Sequence, residues 1–153
     1  VTEPVRDKGV WLGIDVGTVR VGVARSDPRG VLAVPVTTLQ RDKRRNSDLE
    51  QLEALCAEYE VVGVVVGMPM TMAGRRGRSA DMASIYGAAL SRRITPVPIV
   101  YMDERLSTVS ATRTLSAQGR RGPAGRAVVD QVAAVEILQR WLDAGSFTDS
   151  EDS

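Results

Sequence analysis

Histidine is absent from all 153 residues, and cysteine occurs once, at Cys56. Without an imidazole there is no Ser-His-Asp or Cys-His catalysis, no zincin, and no nuclease with a histidine base. A single cysteine excludes an internal disulfide and cysteine-built zinc clusters. Aromatic residues make up 4% of the chain, too few for a platform that stacks successive bases. No apolar run approaches a membrane span, and the start "VTEPVRDKGV" lacks the apolar middle of a signal peptide. The reading is a cytoplasmic protein with no membrane partner. Any hydrolysis must rest on carboxylates, lysines, hydroxyls or a carboxylate-bound metal.

Charge is nearly balanced at +1, but it is unevenly spread. The last residues, "TDSEDS", hold three acids and no base, leaving 20 basic against 16 acidic residues elsewhere. The bases cluster in "RDKRR" (41–45), "GRRGR" (74–78) and "GRRGPAGR" (119–126). Arginine dominates these clusters, and its planar fork suits phosphate. Solvated surface loops are the plainer reading of any one cluster alone.

The length suits one domain with a real core. Residues 1–9 read as a flexible N-terminus, 10–145 as the domain, and 146–153 as a disordered acidic tail. Residues 10–17 and 20–27 alternate like paired strands around a short turn, and 31–39 make a third after the turn signal "DPRG". "SDLEQLEALCAEYE" reads as a helix with a capping box, Ser47 with Glu50. Its apolar face takes in Leu49, Leu52, Cys56 and Tyr59, which makes Cys56 a core residue. "VVGVVVG" (61–67) and "PVPIVYMDE" (96–104) read as buried strands, and 79–93, 107–118 and 126–144 as helices. Short connections pair the first three strands antiparallel, and strand–helix–strand units add the last two in parallel. The fold class is α/β, a mixed five-stranded sheet flanked by helices.

Within "GIDVGTVRVGVA" (13–24), Asp15 is one charged group in an apolar strand, with Gly13 and Gly17 on its own face. Strands one, four and five, if parallel, end at one edge of the sheet, where ligands of such sheets bind. That edge gathers Asp15 with the "DER" acids Asp103 and Glu104. Asp130 lies on the apolar side of the last helix, where a carboxylate is costly unless paired with a cation or metal. Arg126, one turn earlier, is the plainer partner. Together the acids suit Mg²⁺ or Mn²⁺, which take oxygen ligands and activate water for phosphodiester hydrolysis without histidine. Two rivals stand beside this. Asp15-Val16-Gly17-Thr18 also suits a kinase-like phosphate turn, but the chain is too short for a second lobe. The repeated "GRRG" suits a backbone clamp, but the strand order does not match such domains.

"GIDVGTVRVGVA", "VVGMPMTMAGRRG", "YMDERLSTVSA" and "RAVVDQVAAVEILQ" occur in order from about residue 10 to about 142. Together they resemble the YqgF family, also called RuvX, of the ribonuclease-H-like superfamily. The resemblance implies strand order 3-2-1-4-5 with strand 2 antiparallel. It implies a catalytic, metal-binding triad of Asp15, Glu104 and Asp130, with Asp103 the alternate to Glu104. Glu104 is preferred because its longer side chain reaches further past the strand end. The activity implied is a metal-dependent nuclease trimming the 5′ end of pre-16S ribosomal RNA. A Holliday junction resolvase is the alternative, and a non-catalytic nucleic-acid-binding factor a remoter one. The partner is then structured RNA or branched DNA, with a homodimer left open. Arg20, Arg75, Arg76, Arg78, Arg120, Arg121 and Arg126 are the candidate nucleic-acid contacts. Two departures stand out: Ala73 sits where the family often has an acid, and Arg126 where a lysine is common.

Overall fold

The computed structural model describes residues 8–70, 76–104 and 123–152, with the side chains of the last helix described for residues 125–145. Five strands form one sheet: β1 (Trp11–Val16), β2 (Arg20–Ser26), β3 (Ala33–Gln40), β4 (Gly63–Met68) and β5 (Ile99–Asp103), in the order β3-β2-β1-β4-β5. β2 runs antiparallel to both its neighbours, while β4 is parallel to β1 and to β5. The expected architecture is thus the observed one. Pro35, which cannot donate to a ladder, falls on the edge strand β3.

Strand parity divides the core in two. Leu12, Ile14, Val21, Val23, Val64 and Val66 face α1 (Ser47–Glu58) and α2 (Arg78–Ile94). Trp11, Ala24 and Val65 face α3 (Pro123–Asp152), which buries Ala133, Ala134, Ile137, Leu138 and Leu142 against them. Each fully buried Leu, Ile or Val contributes about 1.5–3 kcal/mol. β1 and β4 are buried at every position, as continuous apolar strands covered on both faces should be. Among the described residues no helix is long and apolar enough to cross a membrane.

Three local expectations change. First, α1 has no capping box. Asn46, in the left-handed region at φ 55°, occupies the cap without a side-chain bond to the helix. The Ser47 hydroxyl instead donates to Asp42 Oδ2 at 2.7 Å, because Asp42 also gathers the N–H groups of Arg44 and Arg45 at 3.1 Å each. Second, α3 runs to Asp152, beyond the helix end expected at 144. Extending a helix already nucleated and packed costs little per residue, and nothing there forbids it. Third, α2 begins at Arg78 and ends at Ile94, one residue beyond the expected span at each end. The expected helix at 107–118 lies outside the described residues.

The Asp42 bonds have a pH consequence. Ser47's hydroxyl, then the Arg45 amide, pull the Asp42 carboxyl down from 3.8 to about 2. A depressed folded-state pKa contributes stability that is complete above the unfolded value and is lost as pH falls through the folded one. Between pH 3.8 and about 2, the unfolding midpoint of Asp42→Asn should therefore fall less steeply than that of wild type. Equal slopes would remove Asp42 from the account.

Cys56 is buried, 7% exposed, in the α1–α2 core. Burial, with a smaller push from Glu53, raises its thiol to about 11. Thiolate, not thiol, is the nucleophile. Native protein at neutral pH should leave Cys56 unlabelled by a maleimide that labels the urea-unfolded chain within minutes.

Candidate active site at the carboxyl edge of the sheet

Asp15 stands one residue from the end of β1, 7% exposed. Its cross-strand partner in β2 is Gly22. On the other side Ile14 pairs with Val66, so Gly67 comes level with Asp15. A row Gly22–Asp15–Gly67 therefore crosses the three central strands on the face covered by α3.

The two glycines have the same reason to be there. A Cβ at Gly22 would overlap the backbone carbonyl of Asp130 and come within 3.1 Å of the Asp130 Cβ. A Cβ at Gly67 would stand 2.5 Å from Ile137 Cδ1 and 3.3 Å from the Glu104 carboxyl carbon. Asp130 thus lies over one end of the row and Glu104 over the other, flanking Asp15. Glu104, just past β5, is buried at 7% exposure, whereas Asp103 is half-buried at the strand's last position. It is Glu104 that the fold brings over Gly67.

Asp130 is not paired with Arg126, as the helical spacing suggests. Its Oδ2 accepts from Arg20 Nε at 2.6 Å, with the side chains 15% and 21% exposed. Arg20, a candidate phosphate contact, is thereby committed to an ion pair across 110 residues of sequence. Arg126 is exposed one turn earlier in α3. Asp15, Arg20 and Asp130 line a cavity of about 220 Å³ closed by the β1–β2 turn, residues 16–19. Glu104 lies outside that lining. Among the described residues no three acids come together closely enough to form a ready metal cage.

The basic loops separate on inspection. Arg41 is clamped: Nη1 donates to Asp48 Oδ1 at 3.0 Å, and its guanidinium stacks 5.0 Å from the Tyr86 ring centroid. Asp48 is buried and also accepts the Tyr86 hydroxyl at 2.6 Å and the Asp42 amide at 3.1 Å. Burial, and then that bond to Asp48, raise the Tyr86 phenol far above its ordinary range. Asp48 was missed in the sequence, where an acid in a first helical turn is unremarkable. Arg76 lies 3.5 Å from Asp81, and Arg78 is exposed at the start of α2. Arg75, Arg120 and Arg121 lie outside the described residues.

The sheet order, the central acid and the closing helix define a ribonuclease-H-like fold. Thermus thermophilus RuvC superposes with a TM-score of 0.53 at 14% identity, covering 92% of this chain and 97% of that one, in a structure titled as a complex with Holliday junction substrate. A second Thermus thermophilus RuvC structure gives 0.52 at 14% identity, covering 91% and 97%.

Sequence narrows the class further. The RuvX family model, described as Holliday junction resolvase, matches residues 9–144, and the chain belongs to that family. A Frankia casuarinae protein named "Putative pre-16S rRNA nuclease" is 54% identical over 135 residues, covering 88% of this chain and 67% of its own. A Mycobacterium tuberculosis (strain H37Ra) protein with the same name is 53% identical over 143 residues, covering 92% and 84%.

Proposed function

We propose that this protein is a metal-dependent nuclease that hydrolyses phosphodiester bonds during 5′-end maturation of pre-16S ribosomal RNA in the cytoplasm. The observation that carries the reading is the glycine-cleared row, with Asp15 at its centre and Asp130 and Glu104 over its ends. The names of the relatives support the substrate.

The donor set fits a hard divalent ion. It is all carboxylate oxygen, in a chain without histidine, and two of the acids are buried. Asp15, Asp130 and Glu104 would hold Mg²⁺ or Mn²⁺. Once bound, the ion supplies positive charge for activating water and for the leaving oxygen. Asp15 anchors the site because strands on both sides fix its backbone. Arg20 holds and neutralises Asp130 through its ion pair, beside the position a divalent ion would take. Arg126 and Arg78 are exposed to meet the backbone, and such contacts make affinity fall steeply with salt. Arg75, Arg120 and Arg121 are assigned the same role.

The family's description favours a second reading, resolution of four-way DNA junctions, for which a homodimer would set two sites across a two-fold substrate. One experiment separates the two. A 5′-extended 16S RNA fragment and a four-way DNA junction are offered in parallel with Mg²⁺, Mn²⁺ or excess chelator. Metal-dependent cutting of the RNA alone is expected. Cutting of the junction alone would move the function to recombination, and cutting of neither would leave a binding factor on a nuclease fold.

A further inference from the structure

A second cavity, of about 490 Å³, opens on the other side of the β1–β2 turn, between the N-terminal ends of α1 and α2. Gly17 lines both this cavity and the one holding Asp15 and Asp130, so the two are separated by a single tight turn, closed by Gly17 N–H to Arg20 C=O at 2.9 Å. The volume lies in the range of small-molecule sites.

Its lining has two characters. Leu49, Met82 and Ala89 give it an apolar floor, with Ile85 at its lip. Ile85 is 71% exposed, the most exposed of the large apolar side chains described. Lys43 and Arg78 stand at the rim, both exposed and with no ion pair among the described residues. The other charges there are already engaged: Arg41 with Asp48, and Asp81 with Arg76. An apolar floor beneath two uncommitted cations is complementary to a flat, weakly polar body carrying a phosphate. That is a nucleotide.

We propose that this cavity is a nucleotide subsite, occupied by one unit of the single strand flanking the scissile bond. The base lies against Met82 and the exposed Ile85, and the phosphate against Lys43 and Arg78. The strand reaches it from the carboxylates by crossing the β1–β2 turn at Gly17. The assignment rests on the nuclease reading for the identity of the strand, but its own residues are separate from the acids. A free nucleoside monophosphate has the same chemistry, and the test distinguishes the two sources.

The test is fluorescence anisotropy of a short unstructured oligoribonucleotide on the full chain, with divalent ions chelated so that nothing is cut. Two variants are compared with wild type: Ile85→Asp, whose side chain is too exposed to endanger folding, and Lys43→Ala/Arg78→Ala. Each is expected to weaken binding about tenfold, the range for one base contact. The double variant should also flatten the salt slope by about 0.7, one phosphate's worth on a single strand. Strand affinity unchanged in both variants overturns the subsite. So does 5′-AMP binding that Ile85→Asp abolishes while strand affinity stays at the wild-type level, since the cavity would then serve free nucleotide. Weakened strand binding in a protein that cleaves nothing would keep the subsite and sink the nuclease. Cleavage with unaltered strand binding would do the reverse.

Discussion

Asp15→Asn should lower the rate of single-turnover cleavage by about a thousandfold while leaving nucleic-acid affinity within about threefold of wild type. The side chains are the same size, so the buried site keeps its packing, and the β1 ladders to Gly22 and Gly13's partners are untouched. What is lost is one charge from the anchoring position. Metal charge stabilisation is worth several kcal/mol, and about 4 kcal/mol is a thousandfold in rate. Removing a negative charge cannot by itself weaken attraction to phosphate, so a large loss of affinity would point to unfolding instead. Cleavage retained within tenfold would place the chemistry elsewhere.

The second large effect is on stability. Asp48→Ala should cost about 3 kcal/mol, which in a chain of this size lowers the melting temperature by roughly 10 °C. The buried Tyr86 hydroxyl and the Asp42 amide lose their acceptor, and the half-buried Arg41 guanidinium loses its ion-pair partner while keeping Asn46 Oδ1 and the Asp42 carbonyl. Stranding buried donors is what makes such a change expensive. Arg93→Ala is the control. Its pair with Glu53, at 3.2 Å, is 35% and 47% exposed, and exposed pairs contribute about 0–1 kcal/mol. Calorimetric melts of both variants decide the matter; equal shifts would mean that Asp48 is not a keystone of the α1–α2 junction.

The sheet was legible because its signals are local or periodic. "VVGVVVG" reads as a strand buried on both faces, and the short links around "GTV" and "DPRG" favour antiparallel neighbours. Asp15 was legible as a charge in an apolar strand with glycines on its face. The partners were not. Arg20 and Asp130 are 110 residues apart, and Asp48 and Tyr86 are 38 apart, so no spacing rule connects either pair. The nearest cation by helical spacing, Arg126, was the natural candidate and the wrong one for Asp130. The capping box failed for a related reason: Ser47 is the first residue of the helix rather than its cap, and its hydroxyl donates to Asp42, which lies before the helix. Gly67 carried a usable signal, since it is the glycine in β4 that falls level with Asp15, but only once the register is known.

That row of glycines sets the tolerance of the site. α3 rests on main chain at Gly22, where the Asp130 carbonyl is the nearest group, and at Gly13, where a Cβ would stand 3.0 Å from the Ala134 carbonyl; at Gly67 the Ile137 side chain fills the space instead. Side-chain packing elsewhere in the core is compliant, and a lost methyl is absorbed by small shifts of its neighbours. Backbone seated on backbone has no such give. The gap between Asp15 and Asp130 is therefore gauged by peptide geometry, like a part held against a hard stop, and substitutions far off in the α1–α2 core should change how firmly the protein holds together without changing how far apart those two carboxylates stand.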